Sequence, residues 1–129
     1  LWDGIRNYQA RNYMRQMAID DQVFFYHSNC KPPGIVGMMK VIKLRLTDPT
    51  QFDPKSNYFD PKSSKEMPRW DCAELMYMGC FSKMLTLEEM RSIYTEEELS
   101  VVKKGNRLSI LPVPTKTAKD IIQRLGNLL

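Results

Sequence analysis

A mixed α+β fold, with a small sheet curled into a barrel and short helices outside it, is what this sequence predicts. Three observations carry the prediction. "DQVFFYHS" (21–28) and "GIVGMMKVIKLRL" (34–46) have the aromatic and β-branched density of strands. Residues with helix-start chemistry (Asn7, Thr86, Thr95 and Thr115) recur along the chain. Strands and helices alternate without the regular βαβ rhythm of a parallel sheet. With 129 residues, 43% of them hydrophobic and 26% charged, the chain suffices for one domain with its own core.

Taken in order, Asn7 is placed to cap a helix over 8–18. Ala10, Met14 and Met17 fall at i, i+4 and i+7 and face inward, while Arg11 and Arg15 share another face. Arg-Asn-Tyr occurs twice, at Arg6 and at Arg11, a spacing of five residues or about 140° of helical rotation, so the two triplets cannot serve the same purpose. "NCKPPG" turns the chain between two strands that pair antiparallel. Alternation along the second puts Met38, Lys40, Ile42 and Leu44 opposite Gly37, Met39, Val41 and Lys43. Neither side is cleanly polar, as in a well-covered sheet.

"FDPKSNYFDPKSS" (52–64) repeats Phe-Asp-Pro-Lys-Ser with a period of seven, each Asp-Pro setting a turn. The expectation is an ordered loop tacked down by Phe52, Tyr58 and Phe59. "CAELMYMGCF" (72–81) reads as a strand leading to a helix from Thr86. Thr86 with Glu89, and Thr95 with Glu98, have capping-box spacing, and Gly105 would end the second of these helices. "RLSILPV" (107–113) reads as a strand, and Thr115 as the cap of a last helix to about Leu125, with Gly126 after it.

Charge is unevenly distributed around a net +4. Residues 1–46 hold seven Lys/Arg against three Asp/Glu and 47–71 hold four against five. Residues 72–101 hold two against six, and 102–129 hold six against one. The basic ends could present a cationic face to phosphates. The acidic stretch belongs to helix starts rather than to a partner.

Catalytic and metal chemistry find little to work with. His27 is the sole histidine, and Cys30 three residues on makes a Cys–His hydrolase conceivable, but no third member is evident. Three scattered cysteines, Cys30, Cys72 and Cys80, lack zinc spacing and form no even disulfide set, which favours a reducing compartment; Cys72 and Cys80 read as buried small hydrophobes. The Asp-Pro loop lacks the glycine and terminal glutamate of a calcium-binding EF-hand. No phosphate-binding glycine pattern occurs, and no run approaches membrane-spanning length. We therefore expect no cofactor, no metal and no membrane partner, and a protein that is not an enzyme.

The better constellation is aromatic and polar. Trp2, Tyr8, Tyr26 and Trp70 offer π faces on which a base could stack, each worth about 1–3 kcal/mol. Asn7 and Ser28 can read a base edge, Arg6 and Arg107 can take phosphate, and an Asp3-Gly4 turn would free the Trp2 indole from regular packing. Arg11, Arg15, Lys103 and Lys104 supply further positive charge toward a backbone.

Four blocks, "WDGIRNYQARNYMRQM", "VFFYHSNCKPPGIVGMMKV", "FDPKSNYFDPKS…PRW" and "RLSILPV", closely resemble the signature blocks of EVE domains, in family order over most of residues 2–113. The resemblance implies a PUA-like fold related to the YTH domains that read methylated adenine in RNA. It also implies a non-catalytic pocket for a modified nucleobase, often a modified cytosine in DNA. Carried over by position, Trp2, Gly4, Arg6 and Asn7 correspond to the pocket entry, and Tyr26, His27 and Ser28 to its floor. Arg107, Leu108 and Ser109 correspond to its far wall, and Trp70 to the region of a cage tryptophan. Family members usually begin with a strand ending Lys-Ser-Glu-Pro ahead of this tryptophan. Residues 1–129 are thus expected to be a single EVE domain lacking its N-terminal strand in this chain, with an upstream segment missing.

The expected function is capture of a modified base in DNA or RNA by a nucleic-acid-binding module, with the location following the source: nuclear in a eukaryote, cytoplasmic in a bacterium. A scaffold holding a protein partner through loop 52–64, or a Cys30-dependent hydrolase, is the competing reading. Oligomeric state is not legible.

Overall fold

In chain order the elements are α1 (Tyr8–Arg15), β1 (Gln22–His27), β2 (Gly34–Thr47), a 3-10 turn (Pro49–Phe52), β3 (Asp71–Thr86), α2 (Leu87–Ile93), a second 3-10 turn (Ser100–Val102) and α3 (Thr115–Leu125). This is a computed structural model, and it describes residues 1–29, 31–106 and 108–129. The strands form one sheet in the order β1-β2-β3. β1 and β2 pair antiparallel, with Gln22 opposite Lys40, Phe24 opposite Met38 and His27 opposite Gly34, and the register shifts between Phe25 and Tyr26.

The chain divides into two compact units. The first comprises residues 1–21, 41–76 and 108–110, and the second comprises 22–40, 77–107 and 111–129. Each has an apolar core of its own. In the first, Ile5, Ala10, Met14, Ala73 and Ile110 are buried, with Trp2, Tyr13 and Leu108 among the residues packed against them. Ala10 and Met14 are the inward positions expected of α1, and Met17 packs there too although the helix ends at Arg15. Asn7 caps this helix as expected, its side-chain oxygen accepting the Ala10 N–H at 3.0 Å.

In the second unit Ile35, Met38, Phe81, Leu85, Met90, Leu99, Ile121 and Leu125 form the larger core. Gly37 lies here against β3, where a Cβ would come within 2.5 Å of the Gly79 carbonyl oxygen, so close strand approach requires glycine. Thr86 and Glu89 complete the expected capping box at the start of α2.

Several expectations fail, each for a local reason. The strand over 72–81 extends to Asp71–Thr86, ending where Thr86 starts α2. No α-helix starts at Thr95. The Thr95–Glu98 hydrogen bonds form (3.0 and 3.2 Å), but the chain makes only a turn and the short 3-10 segment. Two consecutive valines and the burial of Leu99 and Val102 against the core prevail over a costly helix nucleus. Leu108–Val113 forms no strand, because Pro112 and Pro114 remove the ladder donors there; Arg107 lies outside the described residues. Thr115 is the first helical residue rather than a cap, the cap position falling on Pro114. Cys72 is buried but Cys80 is exposed. Tyr58 and Phe59 are also exposed, so polar turns rather than buried aromatics order loop 52–64.

Candidate functional site

In the first unit the residues from Trp2 to Tyr8 are fixed by one buried carboxylate. Asp48 is 0% exposed and accepts four hydrogen bonds. Its Oδ1 takes the Thr50 N–H at 2.8 Å and the Thr50 hydroxyl at 2.6 Å. Its Oδ2 takes the Gly4 N–H at 2.8 Å and Arg6 Nη1 at 3.0 Å. Burial pushes this carboxyl's pKa up, but the donors from Thr50, Gly4 and Arg6 together outweigh it and hold the group below the ordinary carboxylate value. Gly4 reaches Asp48 from a left-handed turn (φ +77°), and a Cβ there would strike the Tyr58 ring at 2.7 Å.

Arg6 was expected to take phosphate, yet its donors are engaged inside the protein. Besides Asp48 it donates to the Tyr58 carbonyl at 2.8 Å, the Ile5 carbonyl at 2.9 Å and the Thr50 hydroxyl at 2.9 Å. Four hydrogen bonds, one of them to a carboxylate, make it a clamp on the segment, not an open cation. Trp2 differs from expectation as well. Its backbone bridges Ala73, and its indole packs half-buried on the core instead of standing free after the Asp3-Gly4 turn. Asn7 is exposed, and its capping oxygen is occupied, which leaves the amide NH2 as a donor.

Trp70 is 5% exposed and its indole N–H donates to Asp60 Oδ2 at 2.8 Å. That bond, followed by the Lys62 N–H, lowers the Asp60 pKa. Tyr8 stacks on Trp70 with ring centroids 4.7 Å apart and planes at 24°. The guanidinium of Arg6 lies 5.4 Å from the Trp70 centroid and that of Arg11 5.9 Å. The tryptophan carried over as a cage wall thus already has aromatic and cationic neighbours from its own chain. Arg15 forms a two-point ion pair with Asp71. Leu108 packs on the core and Ser109 is exposed.

In the second unit Tyr26 packs on the core, and burial raises its pKa against the lowering effect of Arg91. His27 meets the Phe25 ring edge-on at 5.1 Å, and His27 and Ser28 are exposed at the end of β1. Lys103 and Lys104 are exposed after the second 3-10 turn. Cys30, the candidate thiol, lies outside the described residues, and burial pushes the Cys72 thiol to about 11, far from a reactive thiolate. A hollow of about 650 Å³ between α3 and the residues after α2 is bordered by Tyr94, Asp120 and Arg124 and by none of the expected site residues.

Sequence reasoning missed Asp48, Thr50 and Asp60. A signal is present: Asp48-Pro49, Asp53-Pro54 and Asp60-Pro61 are three Asp-Pro pairs in fourteen residues (48–61), and the repeat draws attention only to the last two.

Residues 1–124 match the family model of the EVE domain. Thymocyte nuclear protein 1 of Danio rerio is 44% identical over 120 residues, 93% of this chain and 50% of that protein. The chain spans about half the length of the curated relatives it matches. A crystal structure of a protein from Pseudomonas syringae is 41% identical with a TM-score of 0.91, covering 97% of this chain and 84% of that one. Human THYN1 protein in complex with 5-methylcytosine-containing DNA is 34% identical with a TM-score of 0.88, covering 98% of this chain and 78% of that one. The mixed α+β fold is accordingly PUA-like. Among the described residues no helix is long and apolar enough to cross a membrane.

Proposed function

The chain belongs to the EVE domain family, and on that premise we propose that it is a non-catalytic nucleic-acid-binding module that captures a modified base, with 5-methylcytosine in DNA the first candidate. The observation that carries the reading is the likeness to human THYN1 protein, whose structure holds DNA with that base. The local geometry supports it: Asp48 and Arg6 clamp the Trp2–Asn7 segment, so the Asn7 amide is presented from a rigid helix start. Arg6 is then a positioning residue. Within the first unit, Asn7 is assigned to the base edge, and Trp2, Gly4, Trp70, Leu108 and Ser109 to the pocket. Lys103 and Lys104 attract phosphates. In a eukaryote the relatives' name favours a nuclear location.

Extruding a base costs a few kcal/mol, and a methyl group filling an apolar corner returns about 0.8 kcal/mol. Preference for the modified base is therefore modest, about four-fold. Asn7→Ser tests the reading, since a serine keeps the helix cap but deletes the amide donors. It is expected to weaken binding of the 5-methylcytosine and cytosine oligonucleotides alike without changing the salt slope or lowering Tm appreciably, whereas Lys103→Ala with Lys104→Ala weakens both and flattens the salt dependence. An unchanged affinity in Asn7→Ser would remove Asn7 from the site.

A further inference from the structure

Three arginines lie in the first fifteen residues, and they differ in how their charge is compensated. Arg6 is paired with Asp48 and Arg15 with Asp71. Among the described residues Arg11 has no carboxylate partner. Its Nη1 donates to the Arg69 carbonyl at 3.0 Å, and Nε and Nη2 donate to Asn12 Oδ1 at 3.3 and 3.1 Å. All three contacts are to neutral oxygens, which leaves a full positive charge and further N–H donors.

Beside this cation stands an aromatic ring already held in place. Tyr8 is 50% exposed and stacks on Trp70, which is buried and tied by its indole N–H to Asp60. The Arg11 guanidinium lies 4.7 Å from the Tyr8 centroid. A ring backed by a buried, hydrogen-bonded ring presents its remaining surface in one orientation, so little ordering cost attends binding there. A fixed aromatic surface with an uncompensated guanidinium 4.7 Å from its centroid matches one nucleotide: base on the ring, phosphate on the cation.

We propose that Tyr8 and Arg11 form a second nucleotide subsite, a shelf for the base next to the captured one, with Arg11 on the adjoining phosphate. The proposal rests on the base-capture reading. When a base leaves the stack its neighbour loses a stacking partner, and the Tyr8 ring replaces it.

The test is a titration of DNA oligonucleotides containing 5-methylcytosine or cytosine, each also made with an abasic residue immediately 5′ or 3′ of that position. The unaltered protein is expected to lose about five- to a hundred-fold in affinity for one of the two abasic forms. Tyr8→Leu should bind the intact oligonucleotide that much more weakly and lose nothing more when the neighbour is abasic. Tyr8→Phe should restore the abasic penalty, which separates loss of the ring from a loosened helix start. Arg11→Gln should flatten the salt dependence by about one unit of slope. The shelf is overturned if neither abasic form binds more weakly, or if Tyr8→Leu retains the penalty. Base capture fails separately, if cytosine and 5-methylcytosine bind alike while the abasic penalty persists.

Discussion

The two copies of Phe-Asp-Pro-Lys-Ser fold into the same turn and then part company. Asp53 accepts the Lys55 N–H and Asp60 the Lys62 N–H, each at 2.9 Å, and in each copy the serine N–H returns to the aspartate carbonyl. Asp53 is exposed, and among the described residues its copy goes no further. The second oxygen of Asp60 holds the Trp70 indole, on which Tyr8 is stacked. Asp48, ahead of them, makes the same turn through Thr50 and turns its second oxygen to Gly4 and Arg6. One local device is thus used three times, and what each copy contributes is decided by the partner of its outer oxygen.

The largest expected effect comes from breaking the buried copy. Asp48→Ala strands the Gly4 and Thr50 N–H groups and leaves Arg6 unpaired, which costs about 3–5 kcal/mol, or on the order of 10–20 °C in Tm by thermal unfolding. That difference from the unaltered protein depends on pH. The folded pKa of Asp48 lies below the ordinary aspartate value of 3.8, so its contribution is fully present above about pH 4. It is lost as pH falls through the lower folded value, and stability curves of the two proteins should converge in acid.

Next comes Asp60→Asn. Its oxygen can still accept the Lys62 N–H, but an amide NH2 then meets the indole N–H, donor against donor. Tm should fall less than for Asp48→Ala, with a change in tryptophan emission as the Trp70 environment opens. Asp53→Asn keeps its turn and meets nothing else, so neither Tm nor emission should move. A shift as large as that of Asp60→Asn would erase the distinction between the copies.

What was legible in the sequence follows the same division. Interactions closed within a few residues are legible at the Asn7 cap and the Thr86–Glu89 box, and so is the hairpin pairing of the adjacent strands β1 and β2. The Asp-Pro turns of the repeat belong to this class. Arg6 and Asp48 are 42 residues apart, and nothing local distinguishes Arg6 from Arg11, which shares its Arg-Asn-Tyr context. That distinction comes from tertiary pairing, so an internal clamp was read as a phosphate contact. At 108–113 the β-forming Leu, Ile and Val predict a strand, but Pro112 and Pro114 lack the N–H donors that a ladder needs.

The central claim, recognition of a modified base, is tested most directly by titrating the unaltered protein with two DNA oligonucleotides differing only in one cytosine methyl group, at low and at physiological salt. Base capture predicts that both affinities fall with salt while their ratio, in favour of 5-methylcytosine, stays the same. Equal affinities at both salt concentrations would contradict it.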